Sequence, residues 1–172
     1  MKRNLALAAA LALCAGCASM GISGGPSAVA NLEPTAGNTA KGTVSFTQQG
    51  DRVRVSAQLS GLKPNAEHAF HVHEKGDCSA ADGMSAGGHY NPAAKPHGPQ
   101  DADHHAGDMP NLTSDAYGNA SASFELKGVA IGSGPADIVG KGLIVHRDPD
   151  DYKSQPAGNA GPRVACAVIR KS

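Results

Sequence analysis

Apolar residues recur at every second position of this chain, in short runs separated by turn-forming residues. Residues 43–47 alternate between polar and apolar, residues 52–59 do the same, and Gln49-Gly50-Asp51 lies between the two runs. Successive side chains of a β-strand point to opposite faces, so this period places the apolar residues of each run on one face. Because a short turn with glycine between such runs is typical of a hairpin, the segment predicts a β-hairpin.

Further strand patterns follow towards the C-terminus, and no helical period accompanies them. Residues 120–126 alternate, residues 138–139 and 143–145 are short apolar runs near glycines, and residues 164–169 form a last run. The 22 Gly and 11 Pro supply many turns, whereas three Phe, three Tyr and no Trp leave valine and alanine to supply much of the core. Several short strands with turns between them predict an all-β domain, an antiparallel sandwich or barrel.

The N-terminus has the features of an export signal. A positively charged start precedes an apolar run at 5–13, which is too short to span a bilayer and has signal-peptide dimensions. The tripeptide Ala15-Gly16-Cys17 resembles the cleavage motif of bacterial lipoproteins, in which the cysteine is lipidated. These features predict a signal peptide over 1–16 with Cys17 as the lipidated first mature residue. A plain secretory signal, cut after Ala18, is the alternative.

The mature chain is predicted to be a tethered domain of the cell envelope. Residues 17–39 are rich in Gly, Ser, Ala and Asn, and they are predicted to be a flexible tether in front of a domain over 40–172. Without residues 1–16, 13 basic and 15 acidic residues remain, which argues against nucleic-acid binding because that needs a basic surface. Membrane association is expected only through the lipid, in the periplasm or cell envelope.

Histidine is concentrated in a way that predicts metal binding. His71 and His73 lie in an alternating run whose other face carries Phe70 and Val72, so both imidazoles are expected to point outward together from one strand. The later histidines are His89, His97, His104, His105 and His146. Imidazole is the commonest protein ligand for copper and zinc. Up to six imidazoles and a carboxylate exceed the needs of one four-coordinate ion, and they predict two ions that share a histidine.

A long loop carries many of these residues. Residues 74–110 have no apolar period, and a loop of this length is uncommon in a compact domain unless it is functional or disordered. We expect metal and a disulfide to order it in place of a hydrophobic core. Cys78 and Cys166 remain after the leader, and export favours a disulfide between them. Two thiolate metal ligands are the alternative, although neither cysteine has a partner at zinc-site spacing.

Five segments of the chain match one known family in the order of that family. They are FHVHEKGDC, GGHYNP, HHAGDMPNL, GLIVHRDPDD and GNAGPRVACAVI. On these segments the chain resembles bacterial copper/zinc superoxide dismutases over nearly all of residues 40–171. The resemblance implies a flattened eight-stranded antiparallel Greek-key β-barrel with two long active-site loops. It also implies one copper and one zinc ion per subunit, and it leaves monomer and homodimer both open.

The resemblance also assigns ligands to each ion. The implied copper ligands are His71, His73, His89 and His146. The implied zinc ligands are His89, His97, His105 and Asp108, with His89 as a bridging imidazolate. The family pattern H-x-G-D selects His105 and leaves His104 outside the ligand set. His68 precedes the strand and is expected to be exposed or hydrogen-bonded.

The implied activity is the conversion of superoxide into dioxygen and hydrogen peroxide by a copper ion that changes oxidation state. His89 would release and take up a proton in each cycle, and Arg163 would stand beside the copper and attract the anion. Such an enzyme would protect the cell envelope from extracytoplasmic superoxide. A copper or zinc buffer without activity is the competing function, but Arg163 and two complete ligand sets favour the enzyme.

A carboxylate is implied to connect the two metal sites. In the family, an acid after the last copper ligand bridges a copper ligand and a zinc ligand through hydrogen bonds, and Asp150 fits that place. Asp148 and Asp151 are the alternatives for this role. The lysines that could steer superoxide are Lys75, Lys95 and Lys153.

Overall fold

The computed structural model describes residues 24–172, and nearly all of its regular structure is β-strand. The predicted signal peptide 1–16 and the lipidation site Cys17 lie outside the described residues. A single turn of 3-10 helix, Met84–Ala86, interrupts the first long loop. The strands are β1 Ser27–Pro34, β2 Lys41–Gln49, β3 Arg52–Ser60, β4 Glu67–His68, β5 Phe70–His73, β6 Leu112–Thr113, β7 Ala120–Lys127, β8 Gly142–His146, β9 Arg163–Val168 and β10 Arg170–Lys171.

The strands form one antiparallel sheet of eight strands that curls into a barrel. The order along the sheet is β5-β8-β9-β1-β2-β3-β7, and β10 pairs with the outer part of β1. A second, two-stranded sheet joins β4 to β6. Since β4 leads directly into β5 and β6 lies against β7, this short pair closes the gap between the two ends of the large sheet. The predicted all-β fold, an eight-stranded antiparallel Greek-key barrel, is confirmed.

The hairpin predicted from the alternation over 43–59 is also confirmed. β2 and β3 pair antiparallel along their whole length, from Lys41 with Ser60 to Gln49 with Arg52. Gly50 sits in the turn with a φ of 62°, a conformation that glycine adopts without steric cost. The apolar face of the hairpin lies in the barrel interior, where alanine and valine supply about half of the buried hydrophobic residues.

The first strand corrects the prediction that residues 17–39 form a flexible tether. β1 pairs with β2 from Ser27 to Leu32 and then with β9 at Glu33 and Pro34. Its side chains alternate, and Ala28, Ala30 and Leu32 are buried. Two of these three core residues are alanines, whose low hydrophobicity hides the period in the sequence. The folded domain therefore begins before residue 40.

Two long loops follow the strands that carry histidines. The first, residues 74–111, runs from the end of β5 to β6, and the second, residues 147–162, connects β8 to β9. Both cover the outer face of β5 and β8, and every residue of these two strands is buried as a result. Within residues 24–172, no helix has the length and apolar composition needed to cross a membrane.

Replacement of a buried residue in β1 distinguishes a strand from a tether. Leu32→Ala is expected to lower the free energy of unfolding by about 2–5 kcal/mol, because it leaves a cavity in the core. Glu33→Ala is the matched control, since Glu33 is the exposed neighbour in the same strand. Urea denaturation of the oxidised protein measures both variants. Equal stability of the two variants would show that β1 contributes nothing to the barrel.

Candidate metal centre

Four buried imidazoles converge where β5, β8 and the first long loop meet. β5 provides His71 and His73, β8 ends at His146, and the loop places His89 beside His73. The potential ligand atoms of these four histidines lie within 4.8 Å of one another. Phe70 and Val72 face the core as predicted. The imidazoles of His71 and His73 point out of the barrel, as expected. They are nevertheless buried, because the loops cover them.

Each imidazole of this first cluster is held through one of its two ring nitrogens. His71 Nε2–H donates to Asp150 Oδ2 at 2.8 Å, and His73 Nδ1–H donates to the Gly87 carbonyl at 2.9 Å. His146 Nδ1–H donates to the Gly161 carbonyl at 3.0 Å. These bonds fix the tautomer and leave the lone pair of the other nitrogen directed away from the bond.

The remaining nitrogens of the cluster are buried without hydrogen-bond partners. They are His71 Nδ1, His73 Nε2, His89 Nε2 and His146 Nε2. A buried polar atom without a partner is costly and needs an explanation in a native structure. Four such lone pairs facing one another meet the ligand requirement of a copper ion, which accepts imidazole. The donor set therefore fits the copper implied by the sequence.

A second cluster adjoins the first and contains one carboxylate. His97, His105 and Asp108 come from the first loop and meet His89, and all four residues are buried. Asp108 Oδ1 lies 2.7 Å from His89 Nδ1 and 3.3 Å from His105 Nδ1, and Asp108 Oδ2 lies 3.0 Å from His97 Nδ1. Two backbone N–H groups, of His105 and Gly98, donate to Asp108 Oδ2 and orient the carboxylate.

The spacing of this second cluster suits a tetrahedral ion. Zinc bound by imidazole nitrogen at about 2.0–2.1 Å has ligand atoms about 3.3–3.4 Å apart in a tetrahedron. His105 Nδ1 lies 3.3 Å from His89 Nδ1 and 3.3 Å from Asp108 Oδ1, and both distances match this separation. Three imidazoles and one carboxylate also form a closed set of nitrogen and oxygen ligands, as structural zinc sites do.

His89 belongs to both clusters. Its Nδ1 faces Asp108 and His105, whereas its Nε2 is one of the unpartnered nitrogens of the first cluster. Because the two nitrogens lie on opposite sides of one rigid ring, the clusters are separated by the width of an imidazole. The structure thus brings together all seven residues that the sequence resemblance assigns to the two ions.

Asp150 connects the clusters a second time. Its Oδ2 accepts from His71 Nε2 at 2.8 Å, and its Oδ1 accepts from His97 Nε2 at 2.9 Å. The alternatives lie elsewhere, since Asp148 pairs with Arg147 at 3.0 Å and Asp151 caps the turn at Ser154. The backbone of the second loop approaches this carboxylate closely.

Gly158 makes that approach possible. A Cβ at position 158 would lie 1.9 Å from Asp150 Oδ1 and 2.8 Å from His97 Nε2, so no larger residue fits without displacing the bridge. Its φ of 64° also lies in the left-handed region, which side chains disfavour. Gly158, the first glycine in GNAGP, is therefore part of the geometry of the site. The sequence alone does not reveal this role.

Arg163 stands at the entrance to the first cluster. Its guanidinium donates to the Gly83 carbonyl at 2.7 Å and to the Gly87 carbonyl at 2.6 Å, and the latter also accepts from His73. Arg163 and His146 line one cavity of about 440 Å³ at the surface. The disulfide Cys78–Cys166, with Cα atoms 5.9 Å apart, ties the first loop to β9 close to this arginine. The predicted disulfide is confirmed.

Burial sets the charge of the first cluster. Desolvation lowers the pKa of His71 to about 4 and that of His146 to about 3, and it holds the pKa of His73 well below its usual value. These rings are neutral at neutral pH, as metal coordination requires. In the second cluster, burial opposes ionisation of Asp108, but the close contacts of its carboxylate with His89 and His97 outweigh it and hold the Asp108 pKa well below its usual range.

The other histidines and the lysines lie outside both clusters. His104 is half-buried and is no member of either group, as predicted. His68 is hydrogen-bonded as predicted, its Nδ1–H donating to the His146 carbonyl at 3.0 Å, but it is buried and not exposed. Lys95 pairs with Asp103 at 3.0 Å on the surface. Steering of superoxide by Lys75, Lys95 and Lys153 stays a prediction.

Comparison with known proteins assigns the chain to a family. Residues 40–169 match the family model of copper/zinc superoxide dismutase. The chain belongs to the copper/zinc superoxide dismutase family. Copper–zinc superoxide dismutase 2 of Aquifex aeolicus is 42% identical over 134 residues, which are 75% of this chain and 78% of the relative. The copper–zinc superoxide dismutase of Paramecium bursaria Chlorella virus 1 is 42% identical over 83% of this chain and 77% of the relative.

A solved structure supports the same fold. The crystal structure of a SOD-like protein from Bacillus subtilis superposes with a TM-score of 0.74 at 31% identity, and the match covers 81% of this chain and 96% of that chain. The chain is accordingly a copper- and zinc-dependent oxidoreductase that dismutates superoxide. The two clusters are consistent with the copper site and the zinc site of this family.

The metal-free, disulfide-bonded protein is expected to lose stability as pH falls from about 6.5 to 4. In this window unfolded histidines take up protons near their usual pKa of about 6.5, whereas folded His71 and His146, with pKa values of about 4 and 3, stay neutral. The unfolded state then binds more protons, so its free energy falls relative to the folded state. Urea midpoints at pH 7 and pH 5 measure the effect. An equal or higher midpoint at pH 5 would contradict it.

Proposed function

We propose that copper is held by the first cluster and zinc by the second, with His89 as a ligand of both. The shared ring of His89 carries this assignment, because one of its nitrogens faces each cluster and both clusters are buried. Copper would be held by the nitrogens left without partners in the first cluster, and zinc would be held by the Nδ1 atoms of His89, His97 and His105 with an oxygen of Asp108. Copper, when bound, supplies one-electron redox chemistry, and zinc supplies a fixed charge without redox chemistry.

Side chains around the proposed copper site would transfer a proton and attract the anionic substrate. His89 Nε2 is the atom that would take up and release a proton during turnover, while Nδ1 keeps the ring in place on the zinc side. Arg163 carries a positive charge, and it retains N–H donors beyond the two that it gives to loop carbonyls. Superoxide is an anion, so we propose that Arg163 attracts and orients it in the surface cavity.

The surrounding hydrogen bonds hold the imidazoles still. Gly87, Gly161 and Asp150 each accept from a ring nitrogen of the first cluster, so the rings cannot rotate without breaking a buried bond. A rigid ligand set allows an ion to change its charge with little rearrangement of the protein. This rigidity favours an enzyme over a metal buffer, which has no need of it.

Loss of one imidazole separates the two metal sites. His146→Ala is expected to reduce the rate of superoxide dismutation at least about 100-fold, because it removes a copper ligand that no other side chain replaces. Zinc content is expected to remain near one per subunit, since His146 is not in the second cluster. Elemental analysis and a dismutation assay on the purified variant measure both. Full activity in this variant would overturn the copper assignment.

Arg163→Ala serves as the comparison variant in the same experiment. It keeps all seven cluster residues, so copper and zinc contents are expected to match those of the parent protein. Its dismutation rate is expected to fall and to lose most of its dependence on ionic strength, because an electrostatic contribution to association is screened by salt. An Arg163→Ala rate with the parent's salt dependence would remove Arg163 from the attraction of superoxide.

We propose that the enzyme acts in the cell envelope as a lipoprotein that removes extracytoplasmic superoxide. The export features of residues 1–16 and the lipobox-like Ala15-Gly16-Cys17 support this location. The disulfide Cys78–Cys166 also supports it, because such bonds persist in oxidising compartments.

Substitution of the lipidation site tests the anchor. In a bacterial host that processes lipoproteins, the parent protein is expected in the membrane fraction, and Cys17→Ser in the soluble periplasmic fraction or unprocessed. Cell fractionation with mass spectrometry of the N-terminus measures this. A parent protein that is soluble, without an acylated N-terminus, would favour the plain secretory signal.

A further inference from the structure

Two side-chain amides connect the long loops in opposite directions. Gln155, in the second loop, accepts from the His97 N–H at 2.9 Å and donates to the His97 carbonyl at 2.8 Å. Asn111, at the end of the first loop, accepts from the Asp150 N–H at 2.9 Å and donates to the Asp150 carbonyl at 3.1 Å. Each amide thus satisfies both backbone groups of one residue in the other loop, as a neighbouring strand would.

The two residues held in this way are in contact with each other. His97 Nε2 donates to Asp150 Oδ1 at 2.9 Å, so Gln155, His97, Asp150 and Asn111 form one continuous chain of hydrogen bonds across the loops. Tyr152 reinforces the Asp150 end, because its hydroxyl accepts from the Asn111 N–H at 2.7 Å and its own N–H donates to Asp150 Oδ1 at 2.7 Å.

We infer that Gln155 and Asn111 are positioning residues that form a cross-loop clamp, and that this clamp controls how tightly the second cluster retains zinc. The inference rests on the proposed function, since it takes His97 as a zinc ligand. His97 can offer Nδ1 to the ion only while its backbone is held and its Nε2 meets Asp150. Both conditions depend on contacts between loops that have no hydrophobic core of their own.

Within its own loop, the side chain of Gln155 makes only a long contact, from its amide N–H to the Lys153 carbonyl at 3.5 Å. That loop is already ordered by Asp151, which accepts from Lys153, Ser154 and Asn159, and by the Gly158 N–H, which donates to the Ser154 carbonyl at 2.7 Å. Gln155 is an exposed residue whose side chain reaches across 58 positions of sequence to His97. Its removal therefore disturbs the second cluster without opening the core.

Zinc release from the metal-loaded protein tests the clamp. Transfer of zinc to the chromogenic chelator 4-(2-pyridylazo)resorcinol is expected to be about 10-fold faster for Gln155→Ala than for the parent, the scale seen when a partner that orients a ligand is removed. Gln48→Ala is the matched control. Gln48 also accepts from a backbone N–H, of Ile131 at 3.0 Å, and donates to the Gly50 carbonyl at 2.9 Å, but it lies outside both loops.

The expected result is a fast release in Gln155→Ala and a parent-like release in Gln48→Ala. Cobalt(II) in place of zinc gives a second readout that general destabilisation does not move, and its visible absorption bands are expected to change in Gln155→Ala alone. If Gln155→Ala and Gln48→Ala release zinc at the same rate and give the same cobalt spectrum, the clamp is disproved.

A double-mutant cycle tests whether the two amides act as one unit. Because His97 and Asp150 join them, the effects of Gln155→Ala and Asn111→Ala on the zinc-release rate are expected to be non-additive, whereas those of Gln48→Ala and Asn111→Ala are expected to add. Additive effects of Gln155 and Asn111 would show two independent contacts and overturn the cross-loop clamp.

His97→Ala keeps this test separate from the ligand assignment. If His97→Ala binds zinc as tightly as the parent, the proposed zinc site is wrong, and the clamp with it. If His97→Ala loses zinc while Gln155→Ala behaves like the parent, the zinc site stands and only the clamp is overturned.

Discussion

The carboxylate of Asp150 is the contact on which the arrangement of both metal clusters depends. One oxygen accepts from His71 and the other from His97, so a single side chain determines which nitrogen is free in one ring of each cluster. An imidazole has only two nitrogens, and fixing the proton on one directs the lone pair of the other. His89 joins the clusters through its ring, and Asp150 joins them through hydrogen bonds. The two clusters are therefore connected in two separate places.

The barrel and the loops are stabilised by different interactions. The barrel buries apolar residues and needs no ligand to do so. The loops bury histidines and carboxylates, and the buried polar atoms must be satisfied by hydrogen bonds or by metal. The disulfide and the carbonyl of Gly87, which accepts from both His73 and Arg163, hold the first loop where the metals require it. Order in the loops thus depends on the ions to an extent that order in the barrel does not.

The sequence predicts those parts of the structure that are encoded by a pattern of neighbouring residues or by a recognisable motif. The alternation over 43–59 is strong enough to define a hairpin, and the histidine spacing, read with the family resemblance, identifies all members of both clusters. β1 is missed because Ala28 and Ala30 give its core face too little hydrophobic contrast.

Three acids within four positions cannot be ranked from sequence, because the turn of the loop decides which one points inward. Asp148 turns to Arg147 and Asp151 to its own loop, which leaves Asp150 for the bridge. Gln155 and Asn111 carry no motif, since their partners are backbone groups 58 and 39 positions away. Contacts of this kind become visible only when the path of both loops is known.

The residues that line the cavity at the entrance to the first cluster determine the sign of its electrostatic potential. Among residues 24–172, Arg163 is the charged residue in the wall of the cavity beside His146, because burial keeps His146 neutral by lowering its pKa to about 3 and no described carboxylate lines the cavity. The two carbonyls that hold Arg163 orient the guanidinium but do not neutralise it. The predicted mature chain, with 13 basic and 15 acidic residues, has no positive net charge with which to attract an anion from a distance. Attraction of superoxide is therefore expected to come from local charge, and the half-buried guanidinium of Arg163 provides it within about one Debye length, roughly 8–10 Å, where screening by salt is incomplete.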